Sequence, residues 1–139
     1  MKTLNGKVAV VAGATRGGGR GIARMLGEAG ATVYCTGRSS RTQPNTSGHH
    51  YAGRPETIEE TAEMVDAAGG RGIPVRVDHR EEAEVAALFK RVKREQKRLD
   101  VLVNVLTGKP VADWSKRTCG GVACGTGGCT RVSSRRRGG

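Results

Sequence analysis

Ala12-Gly13-Ala14-Thr15-Arg16-Gly17-Gly18-Gly19-Arg20-Gly21-Ile22 is the stretch on which the fold turns. Before it runs the apolar segment Val8-Ala9-Val10-Val11, which reads with Lys7 as a buried strand. After it Ile22, Met25, Leu26 and Ala29 recur at helical spacing. The glycines therefore stand where a strand becomes a helix. Glycine admits positive φ and the close approach of a ligand, and a helix N-terminus presents free N–H groups and about half a positive charge. Together these suit the pyrophosphate of a dinucleotide; the plain alternative is a tight turn that binds nothing.

Neither of two familiar phosphate-binding patterns fits. G-x-G-x-x-G fails in every register, and the P-loop fails because Arg20 stands where Lys followed by Ser or Thr is needed. What fits is Gly13-x-x-x-Gly17-x-Gly19 after a strand near the N-terminus. In this the chain resembles the short-chain dehydrogenase/reductase family, whose usual form has Thr at the place of Ala12 and Ile or Leu at the place of Gly18. The resemblance covers residues 4 to about 104. It implies an α/β fold, a partial Rossmann fold with a parallel sheet in the order 3-2-1-4 and flanking helices. It also implies cofactor binding by Gly13, Thr15, Arg16, Gly17, Gly18 and Gly19.

Outward from the turn, the pattern predicts a first helix over Gly19 to Ala29 ended by Gly30, then a second strand over Ala31 to Thr36. A fold of this kind that takes NAD usually places Asp or Glu after that strand, to accept from the ribose 2′-hydroxyl. Here the segment is Gly37-Arg38-Ser39-Ser40-Arg41, and no acid occurs from Ala31 to Pro55. Arg38 suits a 2′-phosphate instead, so NADP is expected and NAD less favoured; otherwise Arg38 is a solvated surface side chain. By family resemblance, Arg16 before Gly17 adds to the NADP expectation. Ser39 to Arg54 is polar and long, and is expected to wrap near the adenosine end. His49-His50-Tyr51 within it brings two His but no third ligand, so no metal is expected.

Further on, Pro55 fits the first position of a second helix carrying Glu56, Glu59 and Glu60 near its positive end, and Gly69-Gly70 ends it. Ile73 to Val77 is the third strand, with Pro74 near its start, and it delivers Asp78-His79. The resemblance gives Asp78 an adenine contact and His79 a backbone contribution; helix capping by Asp78 remains the open alternative. Glu81 to Arg98 is an amphipathic helix with Val85, Leu88, Phe89, Val92 and Gln96 along one stripe and a basic remainder, read as a solvated face. Leu99 to Asn104 is a strand buried on both faces. Asn104 matches the first Asn of the family's Asn-Asn-Ala-Gly motif, implied to tie neighbouring strands together and to belong to the cofactor-binding set, while Val105, Leu106 and Thr107 depart from it.

Beyond residue 108 the composition changes. Residues 109–139 hold seven Lys and Arg against one acid, more than half of the net charge of +11, together with Cys119, Cys124 and Cys129 in a Gly-rich run. Five-residue steps are not the tight spacing of a zinc knuckle. Two units are expected: residues 1–108, a dinucleotide-binding Rossmann half-domain, and residues 109–139, a disordered basic tail. The resemblance implies hydride transfer between a nicotinamide cofactor and a carbonyl or alcohol, with Ser and a Tyr-x-x-x-Lys pair managing the proton. Neither Tyr34 nor Tyr51 has Lys four residues later. The expectation is therefore the NADP(H)-binding portion of an oxidoreductase, truncated or frameshifted and inactive alone, with the small-molecule substrate depending on a missing half. A nucleotide- or nucleic-acid-binding module using the turn and the Arg-rich tail is the alternative. A cytoplasmic location is expected, because no apolar run is long enough to span a bilayer and no signal segment is evident. The fourth strand, left at the edge, is expected to favour self-association.

Overall fold

The computed structural model describes residues 2–44 and 54–106, together with the backbone of 133–134. The elements run β1 (Val8–Ala12), α1 (Gly17–Glu28), β2 (Thr32–Gly37), α2 (Ile58–Ala68), β3 (Arg71–Arg76), α3 (Glu82–Gln96), β4 (Val101–Asn104) and β5 (Ser133–Ser134). They form one sheet in the order β3-β2-β1-β4-β5. The first four strands are parallel and keep the order 3-2-1-4 expected of a Rossmann-type sheet.

Successive side chains of a strand point to opposite faces, and β1 shows what this builds. Ala9 and Val11 join Val33, Cys35, Val101 and Val103 beneath Ala23 of α1 and Ala62 and Val65 of α2. Val8, Val10 and Ala12 join Tyr34 and Leu102 against Val85, Leu88 and Val92 of α3. A strand covered on both faces must be apolar throughout, which is why β1 and β4 read as unbroken hydrophobic runs. Tyr34 fits this rule because its ring is buried, while its hydroxyl donates to Glu95 Oε1 at 3.0 Å and accepts from Gln96 Nε2 at 3.2 Å. Burial pushes the Cys35 thiol up to about 12, so it packs as a neutral apolar group.

Several boundaries differ from the expected ones, each for a local reason. Helix α1 starts at Gly17 rather than Gly19, so two further glycines lie in its first turn. Helix α2 starts at Ile58 rather than at Pro55, because Thr57 is the N-cap and its Oγ1 accepts the Glu60 N–H at 3.3 Å. Helix α3 stops at Gln96 rather than Arg98, since Lys97 takes a left-handed conformation, φ 58°. Strand β3 starts at Arg71, which puts Pro74 inside it rather than near its start. The register explains the tolerance. Arg71 N–H donates to Ala31 O and Val77 N–H to Gly37 O, so odd-numbered residues bond to β2 and Pro74 faces outward, where it interrupts no ladder bond.

The expected exposed edge at the fourth strand is also corrected. Val101 and Leu102 are 7% exposed and Val103 is fully buried, and β5 pairs antiparallel with the first two. His49, His50 and Tyr51, the tail cysteines and most of the basic tail lie outside the described residues. No helix among the described residues is long and apolar enough to cross a membrane.

If Thr57 rather than Pro55 sets the start of α2, Thr57→Ala will lower stability by about 1 kcal/mol. Pro55→Ala will change it by less than about 0.5 kcal/mol. Urea midpoints at unchanged slope measure both, and equal losses would contradict the assignment.

Candidate cofactor site

The turn after β1 is closed by backbone alone. Gly13, at φ +86°, donates its N–H to Thr36 O at 3.1 Å, and Ala14 donates to the same carbonyl at 2.9 Å. A Cβ on Gly19 would land on the carbonyl oxygen of Gly13, so the first turn of α1 lies directly over the end of β1 only because that position is glycine. A Cβ on Gly37 would likewise overlap the Thr15 hydroxyl. Gly18 is different: a Cβ there would sit 3.8 Å from Val105 Cγ1, an ordinary contact.

A cleft of about 310 Å³ opens beside this turn. Of the residues expected at the site, Gly13, Thr15, Arg16, Gly17, Gly18, Arg38, Asp78 and His79 line it. Gly19 and Asn104 do not. Gly19 shapes the site by letting the turn close. Asn104 Oδ1 accepts the Leu106 N–H at 3.0 Å and so fixes the bend that brings Val105 and Leu106 to the cleft wall. Ser39 and Arg80 also line it, although the sequence singled out neither.

The cleft is built for negative charge. Arg16, Arg38 and Arg80 line it against one carboxylate, Asp78. Helix α1 has no acidic residue in its first turn, and its N-cap, Arg16, makes no side-chain capping bond. The positive end of the helix is therefore not offset from within. Arg16 Nη2 donates to Ser39 Oγ at 3.4 Å, and its Nε lies 3.8 Å from Glu56, a carboxylate held by Arg54 at 2.6 Å. Arg38 Nη1 is buried with no hydrogen-bond partner among the described residues. A buried donor left unmet costs about 1–3 kcal/mol, more when charged, so this atom fits a site that takes an anion.

Asp78 accepts from Arg80 through the backbone N–H at 3.0 Å, Nε at 3.1 Å and Nη2 at 2.9 Å. The Arg80 side-chain hydrogen bonds foremost, with the Arg80 backbone bond and the charges of Arg80 and Arg38 behind them, hold its carboxyl down at about 2. The helix-capping role is not what the structure shows: the N-cap of α3 is Glu81, without a side-chain capping bond. Asp78 closes the preceding turn instead.

His79 contributes more than the backbone expected of it. Its side chain is buried, 7% exposed, with Nε2 at 2.9 Å from Thr36 Oγ1. The Thr36 hydroxyl donates its one proton to the Val11 carbonyl at 3.0 Å, so His79 Nε2 must be the donor to Thr36. Burial lowers the imidazole from 6.5 to about 4, which makes it the neutral Nε2–H tautomer at pH 7. The Val11–Thr36–His79 chain ties the ends of β1 and β2 to the segment after β3.

A family model described as short chain dehydrogenase matches residues 7–118. The chain belongs to the short-chain dehydrogenase family. Dehydrogenase/reductase SDR family member 1 of Mus musculus is 48% identical over 102 residues, which are 73% of this chain and 28% of that protein. The chain thus spans less than a third of that relative's length. A metagenomic short-chain oxidoreductase solved in complex with NADP is 33% identical, with a TM-score of 0.59 over 72% of this chain and 38% of that one. The NADH-dependent reductase A1-R′, solved with NAD, is 26% identical, with a TM-score of 0.60 over 78% of this chain and 39% of that one. Within the short-chain dehydrogenase family, then, similar structures hold either form of the dinucleotide.

Two outcomes follow for this chain. The unfolded chain binds a proton at His79 near pH 6.5 and the folded chain only near pH 4, so stability falls as the pH drops through that window, by up to about 3 kcal/mol. His79→Gln keeps a donor near the Nε2 position and will flatten this slope in denaturation series between pH 7 and pH 4; an unchanged slope would place the effect elsewhere. At the turn, Gly18→Ala will raise the melting temperature through about 0.5–1 kcal/mol of helix propensity, whereas Gly19→Ala will lower it steeply. Similar melting temperatures for the two variants would contradict the close approach to Gly13.

Proposed function

We propose that this chain binds a nicotinamide dinucleotide in the cleft beside Gly13 to Gly19, with NADP(H) preferred over NAD(H). The observation that carries the reading is Arg38. Its Nη1 is buried without a hydrogen-bond acceptor among the described residues, in a cleft that it shares with Arg16, Ser39 and Arg80. A 2′-phosphate supplies the missing acceptor, and a charge-assisted bond to it is worth about 1.5–3 kcal/mol. The solved NADP complex of a relative 33% identical and the NAD complex of one 26% identical support a dinucleotide here, and the preference between the two rests on Arg38.

The other residues divide the remaining work. Gly13, Gly17 and Gly18 let the dinucleotide approach the backbone, and the N-terminus of α1 supplies the positive field for its pyrophosphate. Asp78 and the segment at His79 border the adenine, with Arg80 sharing the carboxylate that an exocyclic amine would seek. When bound, the cofactor supplies a hydride donor or acceptor at its nicotinamide ring. The sequence holds no Tyr with Lys four residues on, so this chain positions the cofactor without itself supplying that proton-transfer pair. Reduction of a carbonyl, or oxidation of an alcohol, belongs to the longer architecture of which the chain spans 28% in its mouse relative.

Titration of the chain with NADPH and NADH tests the reading. NADPH will bind more tightly, and Arg38→Asp will weaken NADPH by about tenfold to a hundredfold while leaving NADH within a few-fold. Equal affinities in the unsubstituted chain would overturn the preference, and no binding of either would overturn the site.

A further inference from the structure

Arg20 and Thr61, which do not line the cleft, hydrogen-bond to the turn that does. Arg20 lies in the first turns of α1, its side chain 18% exposed, and crosses to α2. Its Nε–H is shared between the Thr15 carbonyl and Thr61 Oγ1, each at 3.1 Å. Its Nη2 reaches the Thr57 carbonyl at 3.4 Å and Glu60 Oε2 at 3.2 Å. Thr61 is fully buried, and its hydroxyl donates to the Ala14 carbonyl at 2.8 Å. Two successive carbonyls of the turn, Ala14 and Thr15, are therefore both drawn toward α2.

Peptide geometry turns this into a statement about the cleft. No described peptide bond is cis. In a trans peptide the C=O and the following N–H point in opposite directions. Holding the Ala14 and Thr15 carbonyls toward α2 therefore directs the Thr15 and Arg16 N–H groups away from it, and these two residues line the cleft. The preceding amides are differently engaged, since Gly13 and Ala14 N–H both go to Thr36 O. The Arg16 side chain meets Ser39, the neighbour of Arg38, so this end of the turn borders the part of the cleft where the arginines gather.

We propose that Arg20 and Thr61 are positioning residues: by anchoring the Thr15 and Ala14 carbonyls on α2 they aim the Arg16 and Thr15 amides at the phosphate that distinguishes NADPH from NADH. This rests on the cofactor reading above. It assigns a function to contacts that would otherwise count only as a tie between two helices. A mere tie would change stability when cut and leave the ratio of the two affinities alone.

The experiment compares the full chain with Arg20→Met and Thr61→Val, which keep the apolar stem or the shape and remove only the hydrogen bonds. Without ligand, the ¹⁵N amide resonances of Thr15 and Arg16 will shift in both variants. In titrations each variant will bind NADPH about tenfold more weakly, with NADH changed less than threefold. The proposal is overturned if the two amides coincide with those of the unsubstituted chain, or if NADPH and NADH weaken equally. Thr61→Val is the milder change and decides the matter if Arg20→Met does not fold. An unsubstituted chain that binds no NADPH overturns the cofactor reading and the choice of phosphate with it. That failure is distinguishable from failure of the anchoring, because the amide comparison is made without ligand.

Discussion

The structure depends on one backbone contact, the seating of Gly19 against the carbonyl of Gly13. It lets the first turn of α1 seat directly over the end of β1, after only the short turn from Gly13 to Arg16. The position of the cleft follows. In the order β3-β2-β1-β4 the chain builds outward from β1 in one direction and then returns to its other side. The crevice lies past the carboxyl ends of the strands at that reversal, between Gly13 after β1 and Val105 after β4. Had α1 started farther away, the helix N-terminus and Arg38, just after β2, would not face the same space.

Much of this was legible in the sequence because it depends on period. The apolar runs of β1 and β4 and the stripe Val85, Leu88, Val92 announce elements covered by others, and the glycine spacing announces the close approach. What was not legible depends on parity and on short-range capping. Pro74 is harmless because it falls on an outward register position, and nothing in its own neighbourhood tells which way it faces. The start of α2 hangs on a Thr57 hydroxyl, and the end of α3 on a non-glycine residue in a left-handed conformation. At the site, backbone positions were readable as glycines and Arg38 as the absence of an acid. Arg80 was missed because its role comes from a turn that pairs residues two apart, and Ser39 because its partner Arg16 is distant in the sequence. A clue for Arg80 was present, since an Asp two residues before an Arg after a strand end is well placed to close such a turn.

His79 illustrates how a buried polar group is made acceptable inside a sheet fold. It donates to a hydroxyl whose own proton is already committed, so the direction of every bond in the chain Val11, Thr36, His79 is fixed. Chains of this kind polarise one another in a low-dielectric interior. They also specify a single arrangement of the strand ends, which hydrophobic contact alone does not. Gly18 is the opposite case, a residue that breaks the helix preference of its position without a contact that demands it.

The outward face of β3 has a consequence for how sheets of this chain can meet. Of its outward positions, Gly72 gives its N–H to Asp66 at 2.7 Å and Pro74 has no N–H to give. A strand approaching that flank therefore finds two successive donors missing. Addition of a further strand at β3 is thereby disfavoured without recourse to charge or a bulge at that edge.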